Sequence, residues 1–178
     1  ANAFAGSEFE TVVIPEGITA IGNRAFDNCS ALKVIKLPES LRMIGRGCFS
    51  GCSRLPMILI PEKVESIGAR AFEYCNTLSI LFESSSLPEN LGEEWNGWNG
   101  EIEVNMGVSA VGKTEDEKFF YFVTKDQETS VFQYNGNEEE IVIPDQMEGH
   151  AVNKLAGGLF YQNTTLTKIT IPDSVTAI

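Results

Sequence analysis

Apolar residues recur along the first half of this chain at a fixed spacing. From Leu32 to Leu55 the sequence LKVIKLPESLRMIGRGCFSGCSRL reduces to L-x-x-I-x-L-P-x-x-L-x-x-I-G-x-x-x-F-x-x-C-x-x-L. The copy before it fills the same positions with Val12, Ile14, Pro15, Ile18, Ile21, Gly22, Phe26 and Cys29. The copy after it uses Ile58, Ile60, Pro61, Val64, Ile67, Gly68, Phe72 and Cys75. Pro15, Pro38 and Pro61 stand 23 residues apart, as do Gly22, Gly45 and Gly68, and Cys29, Cys52 and Cys75. A register held at such a period is the signature of a stacked solenoid. One copy cannot bury its apolar face alone, so its neighbours bury it.

Each copy carries its own local signals. In L-x-x-I-x-I the alternation puts every second side chain on one face, as in a short strand. Proline ends that strand, because it donates no ladder hydrogen bond and fixes φ. V-x-x-I-G is a second short extended piece, with a glycine expected to turn a corner at φ > 0. NRAFDNC, RGCFSGC and ARAFEYC predict a short helix or helical turn. Their phenylalanines, Phe4, Phe26, Phe49 and Phe72, are expected to stack along the core.

After Leu81 the register breaks. Glu83 stands where a core residue is due, and SSSLPENLGEEWNGWNG follows. Residues 101–104 (EIEV) read as one short strand. Lys118–Thr124 and Ser130–Tyr134 read as a hairpin around residues 125–128. Asn135-Gly136 marks a turn into EEEIVIP. The repeat resumes at Ile141-Val142-Ile143-Pro144, with 28 residues from Pro144 to Pro172. The excess lies in the polar DQMEGHA. Val152, Leu155, Phe160, Asn163 and Leu166 then return to register, with Ala156 replacing the corner glycine and Asn163 the cysteine. The expected organisation is a first repeat block at 1–82, an insertion with strand and hairpin at 83–139, and a second repeat block at 140–178. The chain opens and closes mid-repeat, which reads as a segment of a longer protein. Ala3-Phe4 matches Ala25-Phe26, and Val175–Ile178 matches Ile18–Ile21.

With LKVIKLPESLRMIGRGCFSGCSRL matched again in LTKITIPDSVTAI, the chain resembles the BspA-like leucine-rich repeats of bacterial surface proteins and of some protozoan parasites. Ordinary leucine-rich repeats place Asn where this chain has Pro-Glu. The resemblance covers about two-thirds of the chain. It implies an α/β fold: a curved right-handed solenoid of short parallel strands plus short helices or turns, interrupted by the hairpin-containing insertion. It also implies a non-enzymatic adhesion or protein-binding module, extracellular or at the cell surface, whose partners are host or cell-surface proteins. The alternative is an architectural spacer, or the scaffold segment of a secreted enzyme whose catalytic domain lies elsewhere.

In a leucine-rich repeat, the strand positions between the inward residues face the open concave surface. Counted at the repeat spacing they are Thr11 and Val13, Val34 and Lys36, Met57 and Leu59, then Ile80 and Phe82. In the second block they are Glu140 and Val142, then Lys168 and Thr170. Leaving Met, Leu, Ile or Phe in water forfeits about 1.5–3 kcal/mol each. A cover is therefore expected, either from Phe119–Phe122 or the WNGW segment of the chain itself, or from a partner protein. Val34, Lys36, Met57, Leu59, Ile80 and Phe82 form the candidate partner-binding set. Trp95 and Trp98 form a weaker one, since a tryptophan in a polar segment either stacks on a sugar ring or packs the segment down.

Charge and composition narrow the chemistry. A net charge of −12 argues against nucleic acid, whose phosphates need Lys and Arg. There is no apolar run long enough to span a bilayer. His150 is the sole histidine, in the polar stretch QMEGH, which leaves histidine-based metal sites and Ser-His or Cys-His pairs one candidate partner. Gly107–Val111 lacks the second glycine of a nucleophile elbow. There is no phosphate-cradling glycine loop. The acidic clusters Glu115–Glu117 and Glu138–Glu140 carry the charge for Ca²⁺ without the spacing of a known loop, and read as solvated surface. No catalytic, cofactor or metal set emerges. Cys29, Cys52 and Cys75 share one repeat position, and Cys48 falls where other copies carry Ala25 and Ala71, so all four read as buried thiols. A Cys29–Cys52 bridge stays open, since adjacent rungs lie about 5 Å apart. Asn163-Thr164-Thr165 is a glycosylation sequon for a eukaryotic secretory setting.

Overall fold

The computed structural model describes residues 1–97, 102–157, 159–160 and 163–178. They fall into two compact units, Ala1–Met106 and Gly107–Ile178. Strands are numbered in chain order.

In the first unit each repeat makes one rung and gives a strand to each of two ladders. In one ladder β1 (Thr11–Val13) runs parallel to β3 (Val34–Lys36), and β5 (Met57–Ile60), β7 (Ser79–Phe82) and β9 (Glu103–Asn105) form a parallel sheet in that order. In the other, β2 (Ala20–Ile21), β4 (Met43–Ile44), β6 (Ser66–Ile67) and β8 (Asn90–Leu91) pair in parallel, again in sequence order. Of the strand read at 101–104, residue 101 lies outside the described residues, Ile102 is in a bend, and β9 takes up the strand at 103 and carries it to Asn105.

The register follows the repeat as far as β5 and then slips by one residue. Ile58 lies opposite Ile80, and Ile60 opposite Phe82. The cause is local: two residues separate Leu55 from Ile58, but only one separates Leu78 from Ile80. Because side chains alternate along a strand, a one-residue slip exchanges its faces. Ile80 and Phe82, expected outward from an unbroken spacing, therefore point into the core at 0% and 1% exposure. Ser79 and Leu81 take the outward positions.

The expected short helices are turns, and among the described residues there is no helix. Each turn holds two residues in the left-handed region: Asn2 and Gly6, Arg24 and Asn28, Gly47 and Gly51, Arg70 and Tyr74. Left-handed residues break the bonding pattern of an α-helix. The amides bond across to the next rung instead. Arg24 N–H donates to Arg46 O at 2.9 Å, Phe26 N–H to Cys48 O at 2.8 Å and Asn28 N–H to Ser50 O at 2.7 Å. Rung-to-rung bonding thus satisfies groups that a helix would satisfy internally.

The repeat spacing of Gly45 and Gly68 also has a different cause from the one expected. Neither residue adopts a positive φ. A Cβ on Gly45 would stand 2.5 Å from Asn23 N, and one on Gly68 2.3 Å from Arg46 N. The backbones of adjacent rungs touch at these points, and no side chain fits between them.

The core of this unit is a set of ladders. Phe4, Phe26, Phe49 and Phe72 stack with centroids 5.3, 5.4 and 5.7 Å apart and near-parallel planes. All four cysteines are free thiols, so the Cys29–Cys52 bridge left open by spacing is not formed. The Cys29, Cys52 and Cys75 thiols donate to the carbonyls of Phe4, Phe26 and Phe49 at 3.2, 3.3 and 3.1 Å. Burial pushes Cys48 and Cys75 up to about 12, which leaves them protonated and inert.

In the second unit β10 (Val108–Lys113), β11 (Phe119–Thr124) and β12 (Thr129–Tyr134) run antiparallel in that order. β12 then pairs in parallel with β15 (His150–Leu155), which carries β14 (Gln146–Met147) on its other edge. β13 (Glu140–Val142) pairs in parallel with β16 (Lys168–Thr170). The hairpin-containing insertion expected to join two repeat blocks is not supported here, because its last strand belongs to the same sheet as β15. β11 and β12 turn back around residues 125–128, but β12 shares a sheet with β15. Phe119, Tyr121, Val123 and Val131 share one buried cluster with Ile141, Ile143, Val152 and Leu155. FFYFV is apolar at successive positions, so a strand made from it needs cover on both faces.

Candidate partner-binding face

The inward residues of the first unit's strands are committed to the core, and the alternate residues make a second face. In β1, Thr11 and Val13 are exposed, Val13 at 66%. In β3, Val34 is 53% exposed and Lys36 is solvated. Val13 lies beside Lys36 in register. In β5, Met57 and Leu59 are half-buried, and Leu59 lies beside Leu81. Leu81 and Ser79 are themselves buried, at 0% and 7%. β9 adds Glu103 and Asn105, opposite Ser79 and Leu81 and half-buried. The face thus grades from open and mixed at β1 and β3 to closed at β7.

Of the six residues singled out by spacing, Val34, Lys36, Met57 and Leu59 lie on this face. Ile80 and Phe82 lie behind it, in the core. Ser79 and Leu81 are the outward pair that the spacing missed, and the short Leu78–Ile80 interval is the signal for them. Trp95 packs edge-on against Phe72 and Phe82, with centroids 6.3 and 6.0 Å away, and ends the aromatic column. Trp98 lies outside the described residues. Ion pairs step from rung to rung along this unit: Lys33 with Glu10 at 2.8 Å, Arg42 with Glu65 at 3.2 Å and Arg70 with Glu94 at 3.0 Å. The hydrogen bond from Lys33 holds the Glu10 carboxyl below its ordinary value.

The second unit brings its two acidic clusters to one open cleft of about 500 Å³. Lys118 bridges Glu138 and Asp116, the latter at 3.7 Å, and the Tyr134 hydroxyl donates to Glu138. Those two hydrogen bonds, Lys118 first, bring Glu138 down to about 2 and leave it charged at any physiological pH. Lys118 is raised in turn, by its bond to Glu138 first and then by that carboxylate's charge. On the outward positions of β13, Glu140 pairs with Lys168 at 3.0 Å and Val142 is 67% exposed. His150, read as a loop residue, begins β15 opposite Met147. Among the described residues, no group of three or more His, Cys, Asp or Glu is placed to hold a metal ion. No helix among them is long and apolar enough to cross a membrane.

Comparison with known proteins gives a family and several solved structures with partial likeness to the chain. A family profile described as the BspA type leucine rich repeat region matches residues 1–93 and 124–178, in 6 copies. The second stretch takes in β12 together with β13 to β16. Among curated proteins there is no significant match. A leucine rich cell surface protein from Faecalibacterium prausnitzii is 24% identical over 96% of this chain and 38% of its own, with a TM-score of 0.43. A leucine-rich repeat protein from Bacteroides ovatus is 24% identical over 99% of this chain and 46% of its own, with a TM-score of 0.48. The pneumococcal vaccine antigen PcpA is 24% identical over 96% of this chain and 41% of its own, with a TM-score of 0.45. The chain spans less than half the length of each of these three proteins.

Proposed function

The chain belongs to the BspA type leucine rich repeat family, and from that premise we propose that it is a non-enzymatic protein-binding module of a bacterial surface or secreted protein. The outward strand face of the first unit meets the partner, a host or cell-surface protein. The observation that carries this reading is the exposure of Val13 and Val34 at 66% and 53% on a strand face. Solvated strand faces carry polar residues, and exposed apolar patches mark interaction sites. Lys36, beside Val13, adds a cation on a chain whose net charge is −12, which gives the face a directional contact as well as an apolar one. The Phe and Cys ladders share one buried core with the inward residues Ile35, Ile58 and Ile60 of these strands, and a packed support of this kind keeps the ordering cost of binding low.

Beads coated with the chain and applied to cultured host epithelial cells test the proposal. Adhesion of beads carrying Val13→Glu with Val34→Glu should fall to background while the folded spectrum is kept. Undiminished adhesion by that variant would sink the assignment of this face. The second reading, an architectural spacer, is favoured at the β7 end, where Leu81 is already buried. Unmutated beads that adhere no better than bare ones would select it.

A further inference from the structure

We propose that Asn135-Gly136 is a modification site at which the folded chain deamidates itself, with water as the only co-reactant. Neither the strand face above nor a partner takes part. The chemistry is intramolecular. Gly136 N gives its proton to hydroxide and attacks Asn135 Cγ. The Cγ–Nδ2 bond then breaks, and Nδ2 leaves as ammonia with a proton taken back from water. The cyclic imide that remains adds water at either carbonyl, which gives aspartate or isoaspartate, and nothing is oxidised or reduced. The first product adds a negative charge just after β12. The second also inserts a methylene into the backbone between β12 and β13.

Asn-Gly occurs at 96–97, 99–100 and 135–136, and the structure separates the first of these from the last. Asn99-Gly100 lies outside the described residues. At Asn135 the electrophile is exposed and held. Its N–H donates to Lys118 O at 2.8 Å, and its Oδ1 accepts from Gln133 Nε2 at 2.6 Å. Oδ1 is the atom on which negative charge gathers as Gly136 N adds to Cγ, so a donor already aimed at it stabilises the transition state. Gln133 is placed by β12, where it lies opposite Phe120 in register. The nucleophile is free: Gly136 N–H makes no hydrogen bond among the described residues. With no β-carbon, Gly136 also leaves its own amide nitrogen uncrowded. Asn96-Gly97 has the opposite setting. Gly97 is buried at φ 107, and its N–H donates to Glu94 O at 3.0 Å. Attack on Asn96 must first break that bond.

The test ages the chain in mildly alkaline buffer, digests it, and follows both sites by mass spectrometry with fragmentation to place the mass gain. In the folded chain Asn135 should convert well ahead of Asn96. In concentrated urea, where neither setting survives, the two should convert alike. Gln133→Met keeps the side-chain length and removes the donor. It should slow Asn135 about two- to tenfold in the folded chain, the rate equivalent of one neutral hydrogen bond, and leave the rate in urea unchanged. Gln133→Glu, with oxygens where the donor was, should slow it likewise. Three results would each overturn the proposal: Asn96 keeping pace with Asn135 in the folded chain, Asn135 converting more slowly folded than in urea, or a folded-chain rate untouched by both Gln133 variants. Equal slowing by these variants in urea would do so as well, because the effect would then belong to the local sequence and not to the fold.

Discussion

Replacing Phe49 by alanine removes the middle of an aromatic column. Phe49 is 0% exposed and stacks on Phe26 at 5.4 Å and on Phe72 at 5.7 Å. Truncating a buried phenylalanine costs about 3–5 kcal/mol, from lost transfer energy and from the cavity left behind. A domain's whole stability is only about 5–15 kcal/mol, so the loss is a large share of it. Phe4 is the internal comparison. It holds the same repeat position but is 48% exposed, and among the described residues it stacks on Phe26 alone, at 5.3 Å, with Phe9 edge-on. Phe4→Ala should therefore cost about 1–2 kcal/mol. Urea unfolding followed by tryptophan fluorescence reads the difference, because Trp95 packs on the same column through Phe72. In a one-dimensional stack, stability sums over rungs and their neighbours, so the central residue must count for more. Equal losses for the two variants would refute a stacked core.

Three further predictions follow from the same rungs. Tyr74 sits at φ 61 and is 67% exposed, where the equivalent residues are Asn28 and Gly51, so Tyr74→Asn should raise stability by about 0.5–1 kcal/mol in thermal unfolding. A lower melting temperature would show that the tyrosine is anchored. Gly68→Ala and Gly68→Asn should both destabilise by about 1–3 kcal/mol, because any Cβ meets Arg46 N at 2.3 Å. Tolerance of asparagine, which accepts φ > 0, would point to backbone conformation as the cause. Finally, the first unit should weaken in alkali. Cys48 and Cys75 stay protonated in the fold up to about 12, against an ordinary value of 9.0, so between these limits the unfolded chain loses protons first. Stability is fully present below pH 9 and falls as pH rises through that window. The fall should shrink in a Cys48→Ala, Cys75→Ala variant, and a pH-independent melting curve would contradict the burial.

Much of this architecture is legible in the residues because every rung repeats one burial pattern. Phe26, Phe49 and Phe72 announce their column by spacing alone, and Cys29, Cys52 and Cys75 theirs. The turns were harder to read. Arg24, Asn28, Arg70 and Tyr74 adopt φ > 0 without being glycine. Only the second copy, with Gly47 and Gly51 at the same places, carries the signal openly. The slip before Ile80 was visible as a missing residue after Leu78, but an unbroken count of the period carried the faces of β7 the wrong way. The pairing of β12 with β15 joins segments on either side of β13 and β14, and local pattern does not reveal such a contact. For the candidate face, alternation places Val34, Lys36, Met57 and Leu59 on the outward side of β3 and β5, where the strands carry them. The burial of Leu81 depends on tertiary packing, which alternation does not encode.

The most direct test of the partner face compares two single changes in one unit. Val34 is 53% exposed on β3, and Met43 is 45% exposed on β4 of the other ladder. Each takes a glutamate without touching the core, so the two variants should unfold alike. In the bead adhesion assay, Val34→Glu should reduce binding at least about tenfold, the equivalent of roughly 1.4 kcal/mol, while Met43→Glu leaves it unchanged. Equal effects of the two substitutions, or a loss with Met43→Glu alone, would contradict the account.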